Sequence, residues 1–176
     1  MSEITYKLKQ VKILILDVDG VLSDQKIIYN DNGSETKAFN VRDGLGLRLL
    51  MKAGIRVCIV TGRGSEALHH RCRNLGISEI YDNVSDKFAI VKNILEKSGC
   101  SREQAACMGD DLPDLPMMRY AGVSIAVADA HETIISMADM ATSANGGNGA
   151  VREVCEAILK ARGLWEDIVN SFARNR

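Results

Sequence analysis

The sequence of 176 residues predicts an α/β fold, a Rossmann-like, doubly wound parallel sheet with helices on both faces. Three observations support this prediction. Short apolar runs rich in β-branched residues alternate with segments of helical periodicity, which is the order of βαβ units. The runs are almost wholly apolar, as strands buried on both faces are. Several end abruptly at a polar residue, and such folds place their functional groups at the carboxyl ends of parallel strands.

Five apolar runs are predicted as strands and four periodic segments as helices. The predicted strands are residues 11–16, 55–60, 79–81, 105–108 and 123–127. The predicted helices are residues 45–52, 65–75, 86–97 and 150–161. A glycine lies close after each of these helices, where it commonly ends a helix.

Residues 27–41 interrupt the alternation, because they match two short strands around an Asn32-Gly33 turn. This hairpin would follow the first strand and project beside the carboxyl ends of the sheet. Residues 164–173 have apolar side chains at helical spacing and are predicted as a C-terminal tail helix with a packing face. At about 150 residues per domain, we expect residues 1–176 to form a single domain.

The composition excludes several functional classes. The chain has 22 Lys and Arg against 23 Asp and Glu, a net charge of −1, so no global positive field would attract nucleic acid. Its apolar runs are far shorter than a membrane span, and its start lacks the pattern of a secretory signal. The five cysteines form no metal-binding pattern and are predicted to be buried thiols. We therefore expect a soluble cytoplasmic protein that binds neither membrane nor nucleic acid.

Five aspartates follow two of the predicted strands. Asp17 and Asp19 come after the first strand, and Asp110, Asp111 and Asp114 come after the fourth. Carboxylates that converge at one edge of a sheet repel each other, and a divalent cation would relieve that repulsion. Oxygen ligands in a partly open site favour Mg²⁺. We expect Asp17, Asp19 and Asp110 to hold the ion, Asp19 through its backbone carbonyl, with Asp111 and Asp114 in supporting roles.

Asp17 is the candidate nucleophile, since a carboxylate is ionised at neutral pH and needs no adjacent base. Asp19 is expected to act as general acid towards the leaving oxygen and then as general base for water, after a turn that Gly20 permits. Thr61 would donate a hydrogen bond to the phosphoryl oxygens, and Lys87 would offset their charge. These four catalytic candidates predict phosphoryl transfer through an aspartyl-phosphate.

Several motifs carry a resemblance that covers nearly the whole chain. Asp-x-Asp-Gly at 17–20, Thr61, Lys87 and Gly-Asp-Asp-x-x-Asp at 109–114 resemble, in that order, the four motifs of the haloacid dehalogenase superfamily of phosphatases. Residues 39–46, 60–63 and 146–153 are similar to the family of KDO 8-phosphate phosphatases, KDO being 3-deoxy-D-manno-octulosonate. The resemblance implies a haloacid dehalogenase-like fold and a Mg²⁺-dependent enzyme that hydrolyses this sugar phosphate on the way to bacterial lipopolysaccharide.

The resemblance also implies the substrate contacts. They are Asp19, Asn40, Val41, Arg42, Asp43, Gly44, Arg48, Thr61, Arg63, Arg71 and Lys87. The basic residues among them suit a phosphate and the carboxylate of the sugar. Related enzymes that act on nine-carbon sialic-type 9-phosphates carry Glu where Arg63 follows Thr-Gly here, so Arg63 favours the eight-carbon substrate.

The chain has no room for a separate cap domain, because the gaps from Asp19 to Thr61 and from Lys87 to Asp110 are too short to hold one. A capless site would be open to water, which weakens electrostatic catalysis. The resembling family is tetrameric, and its hairpins and C-terminal tails cover sites across interfaces. We therefore expect a homotetramer.

Three alternative functions fit parts of the sequence. A phosphatase of a nine-carbon sialic-type sugar 9-phosphate is the nearest, and a catalytically silent oligomerisation domain is the second. A receiver domain of a signalling pair is the third, because it also uses acids, a Thr and a Lys at strand ends. Asp110 comes after Lys87 in this sequence, which is not the order of a receiver domain.

Residues 146–149 are open to two interpretations, a flexible turn or a mobile flap. The three histidines are expected on the surface or on helices, and Arg48 and Arg71 could also be solvated surface residues.

Overall fold

The computed structural model describes residues 2–174, with eight strands. The strands are β1 (Ile13–Leu16), β2 (Ile28–Tyr29), β3 (Glu35–Thr36), β4 (Arg56–Val60), β5 (Glu79–Tyr81), β6 (Ala105–Gly109), β7 (Val123–Ala126) and β8 (Met140–Ala141). Six of them form one sheet in the order β5-β4-β1-β6-β7-β8, and every neighbouring pair is parallel. The five predicted strands are confirmed. The sequence analysis missed β8, because a strand of two residues leaves no recognisable apolar run.

Eight α-helices and two short 3₁₀ turns complete the described chain. The helices are α1 (Glu3–Gln10), α2 (Val41–Lys52), α3 (Glu66–Leu75), α4 (Lys87–Ser98), α5 (Leu115–Tyr120), α6 (Glu132–Met137), α7 (Ala150–Ala161) and α8 (Trp165–Ala173). The 3₁₀ turns are Arg102–Gln104 and Leu112–Asp114. Within residues 2–174, no helix combines the length and the apolar character that a membrane crossing requires.

The helix starts follow from side chains that cap them. Ser65 and Asp86, predicted as helical, instead accept the N–H groups of Leu68 and Ala89 and so precede α3 and α4. Helix α2 begins one turn earlier than predicted, since Asn40 Oδ1 accepts the Arg42 N–H at 2.8 Å. Helices α1, α5 and α6 were not predicted, because α5 and α6 are only six residues long and α1 is largely polar.

The connections of the sheet explain why its central strands are buried on both faces. From β1 the chain moves towards one edge through α2 and α3, and α4 then carries it back across to β6. Right-handed crossovers in opposite directions place their helices on opposite faces of a sheet. All residues of β1, β6 and β7 are buried accordingly. The chain reverses direction beside β1, and the carboxyl ends of β1, β4 and β6 border the resulting crevice.

Fully buried apolar side chains of β1 form the centre of the core. Ile13, Leu14, Ile15 and Leu16 have no exposed surface, and burying each such side chain contributes about 1.5–3 kcal/mol relative to leaving it exposed.

All five cysteines are free thiols, and only Cys100 is partly exposed.

Strands β2 and β3 form the predicted hairpin, which is shorter than residues 27–41. Its turn is closed by Gly33, whose N–H donates to the Asn30 carbonyl at 2.8 Å with φ at +80°. Pairing stops after Thr36, because Lys37 turns its side chain inwards and Asn40 already caps α2. The hairpin leaves Ile28 and Tyr29 largely exposed.

Candidate active site

The turn after β1 brings two aspartates to the carboxyl edge of the sheet. The N–H of Asp17 still donates to the Met108 carbonyl of β6, at 3.1 Å. Gly20 has a φ of +93°, and a Cβ there would overlap the carboxylate of Asp110. Glycine at this position therefore allows both the turn and the close approach of the two loops.

Lys87, the first residue of α4, joins the loops through its ammonium group. Nζ donates to Asp17 Oδ1 at 2.7 Å and to Asp114 Oδ1 at 2.5 Å. Asp114 also accepts the backbone N–H groups of Asp110 and Asp111 through its other oxygen, at 2.9 and 3.3 Å. Asp114 thus fixes both the ammonium group and the loop that carries Asp110. The side chains of Asp17, Lys87 and Asp114 are all buried.

Three carboxylates converge beside Lys87, and together they are suited to a divalent cation. One oxygen from each of Asp17, Asp110 and Asp114 lies within 4.8 Å of the others. Burial and the charge of Asp114 raise the pKa of Asp17 to about 6, although Lys87 opposes them. Burial and the charges of Asp114 and Asp17 raise the pKa of Asp110 to about 8. The cluster carries more negative charge than one ammonium group offsets, and its hard oxygen donors fit Mg²⁺.

Thr61 and Arg63 lie at the end of β4, on the other side of the crevice. Thr61 is buried, and its Oγ1 accepts the Arg63 N–H at 3.3 Å. The Arg63 side chain reaches the hairpin, where Nη2 donates to Tyr29 Oη at 3.0 Å and lies 3.6 Å from Glu35 Oε2. This side chain is 44% exposed, so an anionic ligand can reach its guanidinium group.

The carboxylate of Asp19 faces the hairpin rather than the three acids beside Lys87. Its Oδ1 accepts hydrogen bonds from Lys37 Nζ and from Ser23 Oγ, the latter at 3.3 Å. Burial lowers the pKa of Lys37, but the contacts with Asp19 and Glu35 outweigh burial and raise it above its ordinary value. Lys37 was not among the predicted site residues, because no motif places a hairpin residue against the turn after β1.

A cleft of about 650 Å³ opens above these groups. Eight predicted residues line it, namely Asp17, Asp19, Thr61, Arg63, Lys87, Asp110, Asp111 and Asp114. The sequence analysis missed other polar lining residues, which include Gln25, Ser85, Asp129 and His131. Asp129 and His131 could have been predicted from the sequence, because they closely follow the carboxyl end of β7. His131 is exposed, as expected, and it also lines the cleft.

Segment 40–44, predicted to contact the substrate, lies outside this cleft in the single chain. Val41 and Arg42 are exposed at the start of α2, and Asn40 is the cap of that helix. Asp43 is only 1% exposed, and its carboxylate accepts the N–H groups of Gly149 at 3.3 Å and Arg152 at 2.7 Å. The Asp43 carboxylate therefore holds the start of α7 in this chain.

Arg48 and Arg71 also lie outside the cleft, and both guanidinium groups bind backbone carbonyls. Arg48 Nη2 donates to the Asn74 carbonyl at the end of α3. Arg71 Nη2 donates to the Asn40 carbonyl at 2.8 Å and packs under Gly44. These contacts give each side chain a structural partner, and their predicted substrate contacts remain predictions.

The glycine-rich segment 146–149 packs against the turn after β1. Gly147 N–H donates to the Val21 carbonyl at 2.9 Å, and Gly146 N–H donates to Asp129 Oδ1 at 2.9 Å. A Cβ at Gly146 would overlap the carbonyl oxygen of Gly20. The absence of side chains at these glycines lets two backbone segments touch.

Comparisons with known proteins identify several that share this fold and much of this sequence. A model of haloacid dehalogenase-like hydrolases matches residues 74–154. The 3-deoxy-D-manno-octulosonate 8-phosphate phosphatase of Escherichia coli strain K12 is 47% identical over 166 residues, which cover 94% of this chain and 88% of that protein.

Solved structures agree over almost the full length. The phosphatase of the same name from Moraxella catarrhalis, in complex with magnesium, phosphate and KDO, gives a TM-score of 0.95 at 46% identity and covers 98% of this chain and 99% of its own. The cobalt-bound deoxy-D-mannose-octulosonate 8-phosphate phosphatase from Haemophilus influenzae gives 0.91 at 39% identity, covering 96% and 99%.

Proposed function

The chain belongs to the KDO 8-phosphate phosphatase family of haloacid dehalogenase-like hydrolases, and we propose that it hydrolyses KDO 8-phosphate to KDO and inorganic phosphate. The observation that carries this proposal is the buried Asp17 at the base of an open cleft, with Lys87 Nζ 2.7 Å from its carboxylate. Phosphoester hydrolysis needs a nucleophile and a cation at the same place, and this pair supplies both.

Two steps account for the reaction. A carboxylate oxygen of Asp17 attacks phosphorus, the bond to the ester oxygen breaks, and Asp19 gives its proton to that oxygen. The free sugar alcohol and an aspartyl-phosphate result. Asp19, now ionised, takes a proton from water, whose oxygen attacks phosphorus, and the bond to Asp17 breaks. Inorganic phosphate leaves, and Asp17 and Asp19 return to their starting states.

The surrounding groups stabilise the negative charge of the phosphoryl group during its transfer. Lys87 and the Thr61 hydroxyl would contact the phosphoryl oxygens, and Asp114 would keep Lys87 in place. We propose that Asp17, Asp110 and the Asp19 carbonyl hold Mg²⁺, with Asp111 and Asp114 supporting them. When bound, this ion supplies the positive charge that the acid cluster and the phosphoryl group require.

Arg63 is proposed to bind the carboxylate of the sugar. It is the cationic group of the cleft whose side chain is accessible, and a guanidinium binds a carboxylate through two parallel hydrogen bonds. The carboxylate would then replace Glu35 and Tyr29 of the hairpin as partners of Arg63.

Phosphate release with Mg²⁺ tests the proposed function. The panel contains KDO 8-phosphate, a nine-carbon sialic-type 9-phosphate and p-nitrophenyl phosphate. We expect the highest kcat/KM on KDO 8-phosphate. A higher kcat/KM on the nine-carbon ester would change the proposed substrate but not the proposed reaction. If no ester released phosphate, a catalytically silent domain would be favoured.

We propose that the active form is a cytoplasmic homotetramer of single-domain chains. Exposed apolar side chains support the assembly, among them Tyr29 on the hairpin, Val41 at the start of α2 and Phe172 on α8. No residue of α8 is buried, although its apolar side chains share one face. A neighbouring chain could cover these surfaces and bring a segment 40–44 to the open cleft. Sedimentation combined with activity tests this, because a fully active monomer would contradict it.

A further inference from the structure

Lys37 is a buried ammonium group at the catalytic turn that the reaction steps above do not use. We propose that Lys37 is a positioning residue: by holding one oxygen of the Asp19 carboxylate, it leaves the other oxygen as the one that transfers the proton. This inference rests on the phosphatase function proposed above and adds a residue to it.

The first observation is the burial and pairing of Lys37. Its side chain is 1% exposed although the hairpin that carries it is largely exposed. Nζ contacts Asp19 Oδ1 and lies 3.0 Å from Glu35 Oε1. Ser23 Oγ donates to the same Asp19 oxygen at 3.3 Å. The Lys37 ammonium group therefore holds Oδ1, and the Ser23 hydroxyl lies between this oxygen and the Val18 carbonyl, so the rotation of the carboxylate is restricted.

The second observation concerns the other oxygen of Asp19. Oδ2 is buried, and within residues 2–174 it accepts no hydrogen bond. Arg63 Nε lies 3.9 Å from Oδ2, beyond hydrogen-bond distance. A buried carboxylate oxygen without a donor is unfavourable unless a bound molecule provides one. The attacking water is such a donor, and in the first step the ester oxygen would accept the proton that Oδ2 carries.

Accessibility of Oδ2 follows from the contacts of Arg63. The Arg63 side chain, whose Nε lies 3.9 Å from Oδ2, is 44% exposed, whereas the Lys37 side chain is buried. A substrate carboxylate that draws Arg63 towards the cleft would open the space beside Oδ2 and leave Oδ1 held. The two cations thus differ in role: Lys37 is fixed, and Arg63 can move.

Lys37 is more than an anchor for the hairpin, because the hairpin has a second attachment. Arg63 Nη2 donates to Tyr29 Oη at 3.0 Å and lies near Glu35, on the neighbouring strand. The Tyr29 contact does not involve Lys37, and Gln25, just before the hairpin, donates to the Asp129 carbonyl at 2.9 Å independently of both cations. Removing the ammonium group should therefore free the Asp19 carboxylate while the hairpin stays attached.

Two esters whose leaving groups differ in basicity distinguish a positioning role of Lys37 from a general folding defect. A sugar alkoxide needs a proton from Asp19 to leave, whereas nitrophenolate is a stable anion that leaves without one. The full-length Lys37→Met, Lys37→Arg and Lys26→Met variants would be assayed with KDO 8-phosphate and with p-nitrophenyl phosphate. Lys26 is the matched control, a lysine that is paired with Asp24 and exposed before the hairpin.

For Lys37→Met, we expect kcat/KM for the sugar ester to fall by about 10- to 100-fold, which is part of the roughly 10²- to 10⁴-fold that general acid–base catalysis contributes, because Asp19 itself is still present. For nitrophenyl phosphate we expect a fall of less than about threefold. Lys37→Arg should recover much of the loss, and Lys26→Met should match the wild type.

An equal loss on both esters, or no loss on the sugar ester, would overturn the positioning role. If the wild type released phosphate from neither ester, the proposed function itself would fail, and the inference with it. If the wild type were active and Lys37→Met lowered kcat/KM equally on both esters, only the inference about Lys37 would be refuted.

Discussion

Replacing Asp43 by Ala should destabilise the protein, although Asp43 was predicted to bind substrate. The carboxylate is buried and accepts two backbone N–H groups at the start of α7, from Gly149 and Arg152. Gly149 has no side chain to cap that helix, so Asp43 caps it from α2. Loss of a helix cap costs about 0.5–2 kcal/mol, and leaving a buried donor without a partner costs about 1–3 kcal/mol. We expect a total of about 2–4 kcal/mol.

Thermal unfolding followed by circular dichroism measures this effect. For a chain of this size about 1 kcal/mol corresponds to about 2–4 °C, so Asp43→Ala should lower Tm by about 4–16 °C. Asp43→Asn keeps one acceptor oxygen and should lose roughly half as much. Asp31→Ala, at the exposed tip of the hairpin, should change the stability by less than about 0.5 kcal/mol.

One result would refute the reasoning about Asp43. If Asp43→Ala had the wild-type Tm but a much higher KM, the carboxylate would act on the substrate and not on α7. A lower Tm with an unchanged KM at a temperature where the variant is folded would assign the structural role.

Three other perturbations test the site. Asp17→Asn should reduce phosphate release to background with the fold intact by circular dichroism, since an amide does not attack phosphorus, and wild-type turnover would exclude Asp17 as nucleophile. Chelation should abolish activity, and Mg²⁺ at a hundred times its Kd should then stabilise the protein by about 2.7 kcal/mol in thermal unfolding; activity that survives chelation would contradict the metal site. Gly146→Ala should lower kcat and cost about 1–3 kcal/mol or more, because its methyl group would overlap the Gly20 carbonyl. Gly54→Ala is the control, since a Cβ there meets nothing within 4 Å and the cost is only that of its φ of +81°, about 1–2 kcal/mol; equal losses of kcat in the two variants would contradict a local effect at the turn.

The sequence predicted the residues at the strand ends because a parallel sheet leaves them little freedom. Once three apolar runs are recognised as β1, β4 and β6, Asp17, Thr61 and Asp110 must meet at one edge. Lys87 lies at the same edge for a similar reason, since it begins the helix that follows β5. The cleft that these four side chains share was thus predictable from apolar periodicity and the polar residues that end it.

The hydrogen-bond and ion-pair partners of individual side chains could not be predicted in the same way. Lys37 reaches Asp19 only because the hairpin ends after Thr36 and the chain turns back before α2. Arg71 donates to the backbone carbonyl of Asn40, a partner that the sequence did not predict, and its predicted substrate contact remains a prediction. Hydrogen bonds of this kind depend on the exact path of irregular segments, and apolar periodicity carries no information about that path.

Segment 40–44 is connected to the catalytic turn even though it lies outside the cleft. Asp43 holds the N–H groups of Gly149 and Arg152, and the same glycine-rich segment reaches the turn through Gly147, which donates to the Val21 carbonyl. The start of α2, the start of α7 and the turn after β1 are therefore joined by hydrogen bonds, from the Asp43 side chain at one end and between backbones at the other. Because these contacts are buried and directional, a neighbouring chain that binds segment 40–44 would also restrain the turn that carries Asp17. In a tetramer, the surface that completes one site would in this way stabilise the catalytic turn of the chain that donates it.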